Sequence, residues 1–417
     1  MPPRRKVTTV ALVAVLAVGL QARAESSEEH DPALPDTSDR VAQVSAARVH
    51  PPKKRSQSRV EDKLPTPPVG YVDRFKNWVR DHDFLLGFDA AFYNQYASHV
   101  RKEDSHNAAT IAWQLFTSRE LLEGKHGSLH VALTLLGTIA LDYDPNDDPL
   151  FVRVGSISVP NGNIYPNEIA VDELYLHYVT EGSKWTLDIG KIDMSYFFDT
   201  NRVANDAFSQ FMSFTLENNA SIPFPIYGGF GALGRWNPND DIYVMIGAGD
   251  ATSNERIPWG RVGDGAWWQL LEVGAHVDFH TLGTGNYRLT GWHSNNGPGN
   301  GFGIGLNIDQ NLGLDWLIGF FRTGLGNRNQ TAVKATVSGG VSFAHPFGRA
   351  NDGAGIGFSW GSPDIGGRDE GFFEAYYRLS FNEYLSISPD LQIVFPPAYN
   401  RDANVSVIGG VRVLWRL

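Results

Sequence analysis

The sequence predicts an all-β protein, a transmembrane antiparallel β-barrel of about 16 strands with a disordered N-terminal extension. Three observations lead to this prediction. The chain opens with a secretion-type segment, it has no later apolar run of about 18 residues, and its apolar residues alternate with period two from Phe84 to Leu417. Because only helices and closed barrels satisfy every backbone polar group in lipid, a chain with this pattern is expected to span a membrane as a barrel.

Residues 1–24 have the features of a signal peptide. The basic start Met-Pro-Pro-Arg-Arg-Lys precedes an uncharged apolar run from Val7 to Leu20, and Ala22-x-Ala24 supplies the small residues of a cleavage site. The run is shorter than the roughly 20 residues of a spanning helix. We expect cleavage after Ala24; the alternative is a retained amphipathic or buried helix.

Residues 25–69 predict a disordered periplasmic extension, because they are rich in Pro, Ser and charged residues and poor in apolar ones. Their basic cluster at 51–55 fits a solvated linker, or alternatively a contact to a polyanion or peptidoglycan. Residues 70–83 predict a short helix, since Phe75 and Val79 lie four apart with Trp78 beside them. Such a helix could cap the periplasmic end of a barrel formed by residues 84–417.

Composition excludes several classes of function. The formal net charge is −11, which argues against a nucleic-acid partner because phosphate contacts need a basic surface. The sequence has no cysteine, so it can form neither disulfides nor thiolate metal sites. No cofactor is predicted.

The barrel strands are predicted from alternation, which is clearest in the last segment. There Val411 and Val413 alternate with Arg412, so one face is apolar and the other polar. An even count suits an outer-membrane barrel, and sixteen is enough for an open channel. The predicted strands lie near 84–96, 109–119, 128–142, 171–180, 184–192, 226–236, 241–249, 266–279, 285–293, 302–309, 312–322, 333–344, 353–361, 372–381, 384–395 and 405–416.

The connections differ in length, and the two longest are 143–170 and 193–225. A long loop can fold inward and narrow a pore. Aromatic residues at predicted strand ends suggest interfacial girdles, although each could equally pack in a core. They are Trp113, Tyr143, Trp185, Trp236, Trp259, Trp267, Trp292, Trp360, Tyr384, Phe395 and Trp415.

If the apolar face points to lipid, the alternate residues face the lumen. Facing carboxylates and cations could give a transverse field and hydrogen-bond partners for hydroxyl-rich solutes, or could simply solvate the wall and pair across strands. The predicted pore-lining and constriction residues are Glu173, His177, Asp188, Asp193, Asp199, Arg202, Asp309, Glu374 and Arg378.

Arg202 is the central residue of the predicted constriction. One hypothesis places it with Glu173 and Asp188 in the narrowest ring; the alternative is that it pins the long loop to the wall. Neither a catalytic nor a metal site is predicted. His276 and Asp278 fit a solvated wall better than metal ligands, and residues 144–148 are oxygen-rich but lack the Gly and distal Glu of an EF-hand loop, so calcium binding there is left open.

Several segments, in the same order along the chain, resemble the OprB-type carbohydrate-selective porin family. The resemblance implies a sixteen-stranded barrel, passive uptake of mono- and oligosaccharides, and a lumen narrowed by loops with charged and aromatic residues. The chain departs from the pattern at Leu417, where many barrels end in Phe, and in residues 25–69, which have no obvious counterpart. The matching segments are 172–176, 187–193, 198–201, 207–208, 223–225, 303–310, 374–378, 388–392 and 409–414.

From the resemblance we expect a porin in the outer membrane of a Gram-negative bacterium, with a periplasmic N-terminal extension. Its expected partners are small-molecule sugars, outer-membrane lipid and the barrel-assembly machinery, with a homo-oligomer left open. The alternatives are a general or organic-anion-passing porin, an outer-membrane barrel enzyme, and an exporter or assembly component. A barrel enzyme would need a nucleophile with a nearby His at one rim, and the sequence shows no such cluster.

Overall fold

A computed structural model describes residues 84–101, 104–141, 148–163, 168–225, 227–253, 262–296, 299–327 and 331–417. The predicted signal peptide, extension and short helix lie outside these residues, as do residues 144–147 of the oxygen-rich segment, Tyr143 and Trp259. Within them, sixteen antiparallel strands form one closed barrel. The predicted fold class is therefore confirmed.

Each strand pairs with its neighbours in chain order, and the first strand pairs with the last. The strands are β1 (Phe84–Ala97), β2 (Asn107–Gly124), β3 (Gly127–Ala140), β4 (Glu168–Thr180), β5 (Trp185–Ile192), β6 (Gly229–Trp236), β7 (Ile242–Asp250), β8 (Trp267–Phe279), β9 (Gly283–Ser294), β10 (Gly301–Asn311), β11 (Leu317–Gly326), β12 (Val333–Ala344), β13 (Gly353–Pro363), β14 (Glu370–Ser380), β15 (Leu385–Phe395) and β16 (Ser406–Arg416).

The barrel is closed by β1 and β16, which meet with Tyr93 opposite Arg412 and Ala91 opposite Leu414. This pairing leaves no open edge, and an open edge in lipid would strand backbone groups without partners. The closing role of the last strand agrees with the alternation in its sequence.

The outer surface of the barrel is apolar because alternate residues point outward. On β8, Leu271 and Val273 are 50% and 44% exposed, whereas Leu270 and Glu272 between them are buried on the inner side. The same arrangement around the barrel produces the apolar belt of a membrane-facing surface. Other exposed members are Ile169, Leu174, Leu176, Leu187, Ile189, Ile246, Leu289, Ile304, Phe321, Leu325, Ile356, Phe358, Leu391 and Val407.

Some predicted girdle aromatics do lie at strand ends on the outside. Trp185 and Trp236 stack there with ring centroids 5.7 Å apart, and both are exposed. The prediction is wrong for Trp292, which is buried on the inner side in a cluster with Trp268. Position 292 has the same parity as the inward-facing Thr290, so alternation along β9 directs its side chain into the barrel.

The two ends of the barrel differ in connection length. The short-turn end carries 125–126, 181–184, 237–241, 280–282, 312–316, 345–352 and 381–384. The long-loop end carries 98–106, 141–167, 193–228, 251–266, 295–300, 327–332, 364–369 and 396–405. The predicted strand 312–322 begins only at Leu317, because Gly313 (φ 78°) forms a turn there.

The described helices are short. They are α1 (Leu150–Val154) in loop 141–167, α2 (Phe214–Glu217) in loop 193–228, and 3-10 turns at Glu181–Ser183, Met194–Tyr196, Val262–Asp264 and Pro346–Gly348. No helix in the described part of the chain is long and apolar enough to cross a membrane.

The core lies inside the barrel, where the two longest loops fold inward. Phe211 and Leu216 of loop 193–228 are fully buried against the wall residues Phe320 and Phe372. Glycine on β13 makes room for them: a Cβ at Gly357 would lie 2.7 Å from Leu216 Cδ1. Met194 and Phe198 fill the opposite side beside Trp268. The lumen is therefore shaped by loops as well as by the wall.

Candidate functional site

The β5–β6 loop (193–228) crosses the barrel interior as mostly irregular backbone, with only α2 and one 3-10 turn. Its buried N–H and C=O groups therefore need partners from the wall, since an unpaired buried backbone group is costly. Wall carboxylates accept from the N–H groups. The Asp199 amide donates to Glu272 Oε2 at 2.8 Å, and the amides of Met212 and Ser213 donate to Glu374, the second at 3.1 Å.

Wall arginines serve the carbonyl groups of the same loop. Arg322, fully buried on β11, donates to the carbonyl oxygens of Ala204 and Leu216 at 2.7 Å and to that of Asp199 at 2.9 Å. Two more arginines act in the same way further along. Arg378 donates to the Ser209 carbonyl at 3.1 Å, and Arg412 donates to the carbonyls of Ala207 and Gln210.

The β3–β4 loop (141–167) is held by similar contacts. Glu370 at the start of β14 accepts from Ser156 Oγ at 2.6 Å and from the Ser158 amide at 2.9 Å. The two loops also bond to each other, since the Phe214 amide donates to the Val159 carbonyl at 3.1 Å. Both loops thus form one packed body inside the barrel.

A cavity of 510 Å³ lies between this body and the short-turn end. The β5–β6 loop forms its inner side through Arg202, Val203, Ser209 and Gln210. Three arginines reach it, and hydroxyl, amide and aromatic side chains complete its wall. The wall residues include Trp316, Ser342, Phe343, Asp352, Tyr376, Arg378, Ser380, Tyr384, Ser386 and Arg416.

Arg202 connects the loop to the opposite wall through an ion pair with Asp309 on β10. Arg288 on β9 approaches the same carboxylate at 2.9 Å, so Asp309 is shared by two cations. The Arg202 guanidinium also donates to Asn311 Oδ1 and to the Thr284 carbonyl, each at 3.0 Å. Asp309 is fully buried, whereas the Arg202 side chain is partly exposed to the cavity.

Arg416 on β16 links the same loop to the barrel wall at a second place. It pairs with Asp89 at 2.7 Å and with Asp206 of the loop at 3.1 Å. Burial opposes ionisation of Asp206, but the Arg416 guanidinium outweighs it and lowers the pKa of that carboxyl. Asp206 is therefore ionised, and its ion pair with Arg416 holds the loop against β16.

Two other loop carboxyls have raised pKa values. Burial raises the pKa of Asp193 to about 8, and the negative charge of Asp172 adds to the effect. Burial raises the pKa of Asp199 to about 6, although Arg322 pairs with it at 3.0 Å. Proton binding is therefore coupled to docking of this loop.

The predicted site residues fall into separate groups. Arg202 and Asp309 contact each other, and Arg378 lies on the same cavity. Glu374 and Asp199 anchor the loop. Glu173 instead accepts from Thr134 Oγ1 at 2.8 Å, and Asp188 pairs with His177 at 2.5 Å. In the described contacts, Arg202 is joined to neither Glu173 nor Asp188.

Several residues of this site were not singled out from the sequence. Arg322 lies two residues from the buried Phe320 and next to the exposed Phe321, so alternation would have placed it inside. Alternation along β9 and β16 would have placed Arg288 and Arg416 inside in the same way. No pattern could show that Arg322 and Arg416 have partners on a loop more than 100 residues away. Among the residues that the structure describes, no three His, Asp or Glu side chains are arranged to hold a metal ion.

A closed sixteen-strand barrel with an apolar exterior and a long loop folded into its lumen has the fold of the outer-membrane porins. Residues 300–417 match the model of the family described as "Carbohydrate-selective porin, OprB family". This match confirms the family resemblance seen in the sequence motifs.

Solved structures support the fold. The high-pH structure of Pseudomonas putida OprB is similar with a TM-score of 0.66 at 14% identity, covering 83% of this chain and 97% of that one. The low-pH structure of the same protein gives a TM-score of 0.53 at 13% identity, covering 84% and 98%. At these identities the likeness concerns the fold alone.

A curated relative is similar over part of its length. The Chlamydia pneumoniae protein named "Porin AaxA" is 26% identical over 284 residues, which is 60% of this chain and 60% of the relative.

Proposed function

We propose that this protein is an outer-membrane porin through which small hydrophilic solutes, and mono- and oligosaccharides in particular, diffuse passively. The observation that carries the proposal is the β5–β6 loop, which folds into a closed barrel and presents Arg202 to a cavity shared with Arg378 and Arg416. A packed loop with charged groups facing a cavity is suited to select solutes by size and hydrogen bonding.

The chemistry of the cavity fits a hydroxyl-rich solute. The rings of Trp316, Tyr376 and Tyr384 can pack on the apolar face of a sugar, while guanidinium groups and serine hydroxyls replace the water bound to its hydroxyls. A hydrogen bond to a charged group contributes about 1.5–3 kcal/mol. Passage requires that the sum stays small enough for the solute to leave.

The comparisons support the same function. The family matched by residues 300–417 is described as carbohydrate-selective, and the curated relative is named a porin. A family and fold of this kind indicate a channel rather than an enzyme. Sugar selectivity is the finer part of the proposal, because residues that line a barrel can change while the fold is kept.

The proposed location is the outer membrane, where the apolar belt would face lipid. Barrels of this class have short turns on the periplasmic side, so the short-turn end and the N-terminal extension are proposed to lie in the periplasm. The proposed partners of the protein are outer-membrane lipid and the barrel-assembly machinery. A homo-oligomer of the chain is left open.

Planar-bilayer recording of the purified protein tests the proposal. We expect stable, ion-passing pores whose current is reduced by added sugar, together with liposome swelling in glucose and disaccharides. Absence of ion-passing pores would refute the proposed function. Swelling with amino acids or with organic acids that lack hydroxyl groups as fast as with hexoses would replace the sugar porin by a general porin.

We further propose that Arg202 and Asp309 form part of the constriction. The variant Arg202→Ala should change ion selectivity and raise sugar permeation while the barrel stays folded. Glu173→Ala serves as the comparison, since Glu173 bonds to Thr134 on the wall. Equal effects of both variants would favour the ring of Arg202, Glu173 and Asp188, and no effect of either would place the constriction elsewhere.

A further inference from the structure

Arg378 differs from the other arginines of the cavity in its partners. Its guanidinium donates to the Ser209 carbonyl at 3.1 Å, and no described carboxylate lies within ion-pair distance of it. Arg202 and Arg416, in contrast, are each paired with aspartate. The side chain of Arg378 therefore brings a positive charge without an ion-pair partner to the cavity wall.

Three carboxylates around the cavity are each paired with an arginine other than Arg378. Asp309 is shared by Arg202 and Arg288, and Asp206 pairs with Arg416. Asp352 on the cavity wall pairs with Arg349 at 2.6 Å and also accepts from Tyr377 and the Ser380 amide.

A second cation reinforces the charge. Ser388 of β15 separates Arg378 from Arg412, whose Nη2 donates to the Ser388 hydroxyl at 3.2 Å. The described hydrogen bonds of Arg412 go to that hydroxyl and to two loop carbonyls, its guanidinium lies 5.9 Å from the centre of the Tyr376 ring, and no described carboxylate is within ion-pair distance of it. Two adjacent guanidinium groups without ion-pair partners favour an anion on this side of the cavity.

One further carboxylate, Glu383 of the turn 381–384, lines the cavity, and most of the remaining wall is uncharged. Ser342, Ser380, Ser386 and Gln210 supply hydroxyl and amide groups, and the volume of 510 Å³ is in the range of small-molecule sites. A guanidinium binds a carboxylate through two parallel N–H donors, and only one donor of Arg378 is assigned above. The wall thus combines a carboxylate-binding group with partners for hydroxyls.

We propose that this cavity favours singly charged, hydroxylated carboxylates, the sugar acids, over neutral sugars of the same size, and that Arg378 binds their carboxylate. This inference rests on the proposed porin function and names its preferred substrate class. Charged rings of Arg set anion preference in pores by the same physics.

The test compares ion selectivity and solute flux in wild type, Arg378→Gln and Arg378→Lys. In a KCl gradient the wild-type reversal potential should show chloride preferred over potassium. Liposome swelling in gluconate should exceed swelling in glucose once counter-ion flux is matched. Arg378→Gln should lower the chloride preference and reduce the gluconate-to-glucose ratio several-fold, because glutamine keeps hydrogen-bond donors for a neutral sugar but removes the charge; Arg378→Lys should retain the chloride preference and part of the ratio.

Lys334→Gln is the matched control, because it removes one positive charge from an exposed site at the long-loop end. It should leave both readouts unchanged. A cation-selective wild type, or a gluconate-to-glucose ratio that Arg378→Gln does not alter, would overturn the inference while leaving the porin function intact. Absence of any pore would instead overturn the porin function itself.

Discussion

Replacing Arg322 by Met should release the β5–β6 loop from the wall while the barrel persists. Arg322 is fully buried and serves three loop carbonyls at 2.7 to 2.9 Å, in addition to its ion pair with Asp199. Methionine has similar length but no donor. The substitution therefore leaves these carbonyls without their arginine partner and leaves Asp199 without its counter-charge.

The size of the effect follows from these contacts. Each buried carbonyl left without a donor costs about 1–3 kcal/mol. Water entering the loosened site recovers part of the sum, so we expect a net loss of about 5 kcal/mol in loop docking. At 1.4 kcal/mol per factor of ten, the population of the released loop should rise by more than about a thousandfold. The hydrogen bonds between strands are untouched, so the barrel should stay closed.

Hydrogen exchange of the amides in 199–216 measures this release directly, and single-channel recording should show larger and noisier currents. Heat-modifiable migration in gels reports on the barrel separately. Arg322→Lys is the graded control, because it keeps the charge beside Asp199 but concentrates all donors on one nitrogen. Wild-type protection of the loop in Arg322→Met would refute the anchoring role of Arg322.

Three further predictions concern the loop, the belt and the closing strand. Because the pKa of Asp193 is raised to about 8 and that of Asp199 to about 6, both above the usual value of 3.8, the docked loop binds more protons than the released loop. Docking should thus be strongest near pH 4 and weaken as pH rises through 6 and 8. Protection of the loop amides from hydrogen exchange, corrected for the intrinsic exchange rate, should fall as pH rises from 4 to 8. The variant Asp193→Asn should lack the part of this fall near pH 8. Protection that increases with pH would contradict the argument. On the belt, Val273→Arg should lower the free energy of unfolding in vesicles by about 2–4 kcal/mol, whereas Asp240→Arg in an exposed turn should not; equal effects would show that Val273 does not face lipid. Deleting residues 411–417 removes pairing with both β1 and β15 and should abolish heat-resistant barrels, whereas deleting 25–69 should not; folded barrels from the first deletion would show that this pairing is dispensable.

Much of the barrel could be predicted because alternation and lipid impose the same constraint on every strand. Strand β8 shows why: Leu271 and Val273 must face outward if Glu272 faces inward. Alternation fails where the ladder is irregular. The predicted strand 109–119 continues to Gly124 in the structure, and its register shifts between Glu120 and Leu122, which breaks the period-two pattern just where the prediction ended.

The site was less predictable because alternation assigns a side but not a partner. It placed Asp309 and Glu374 on the inner face, yet their partners Arg202 and Met212 lie on a loop more than 100 residues away in sequence. The path of that loop depends on which of its groups find partners on the wall. The grouping of Arg202 with Glu173 and Asp188 followed from proximity in sequence, whereas the Arg202 contacts in the structure run to β9 and β10.

The arrangement of luminal charges follows from the backbone of the loop. A buried irregular segment exposes N–H and C=O groups that water cannot reach, and the wall meets each with the side chain of suitable sign. Glu272 and Glu374 accept from amides, while Arg322 and Arg412 donate to carbonyls. Charges used in this way hold the loop and cannot be ranked as solute-binding by their position alone. Solute selection should therefore depend on charged groups that face the cavity without an ion-pair partner, as Arg378 does alongside its hydrogen bond to the Ser209 carbonyl.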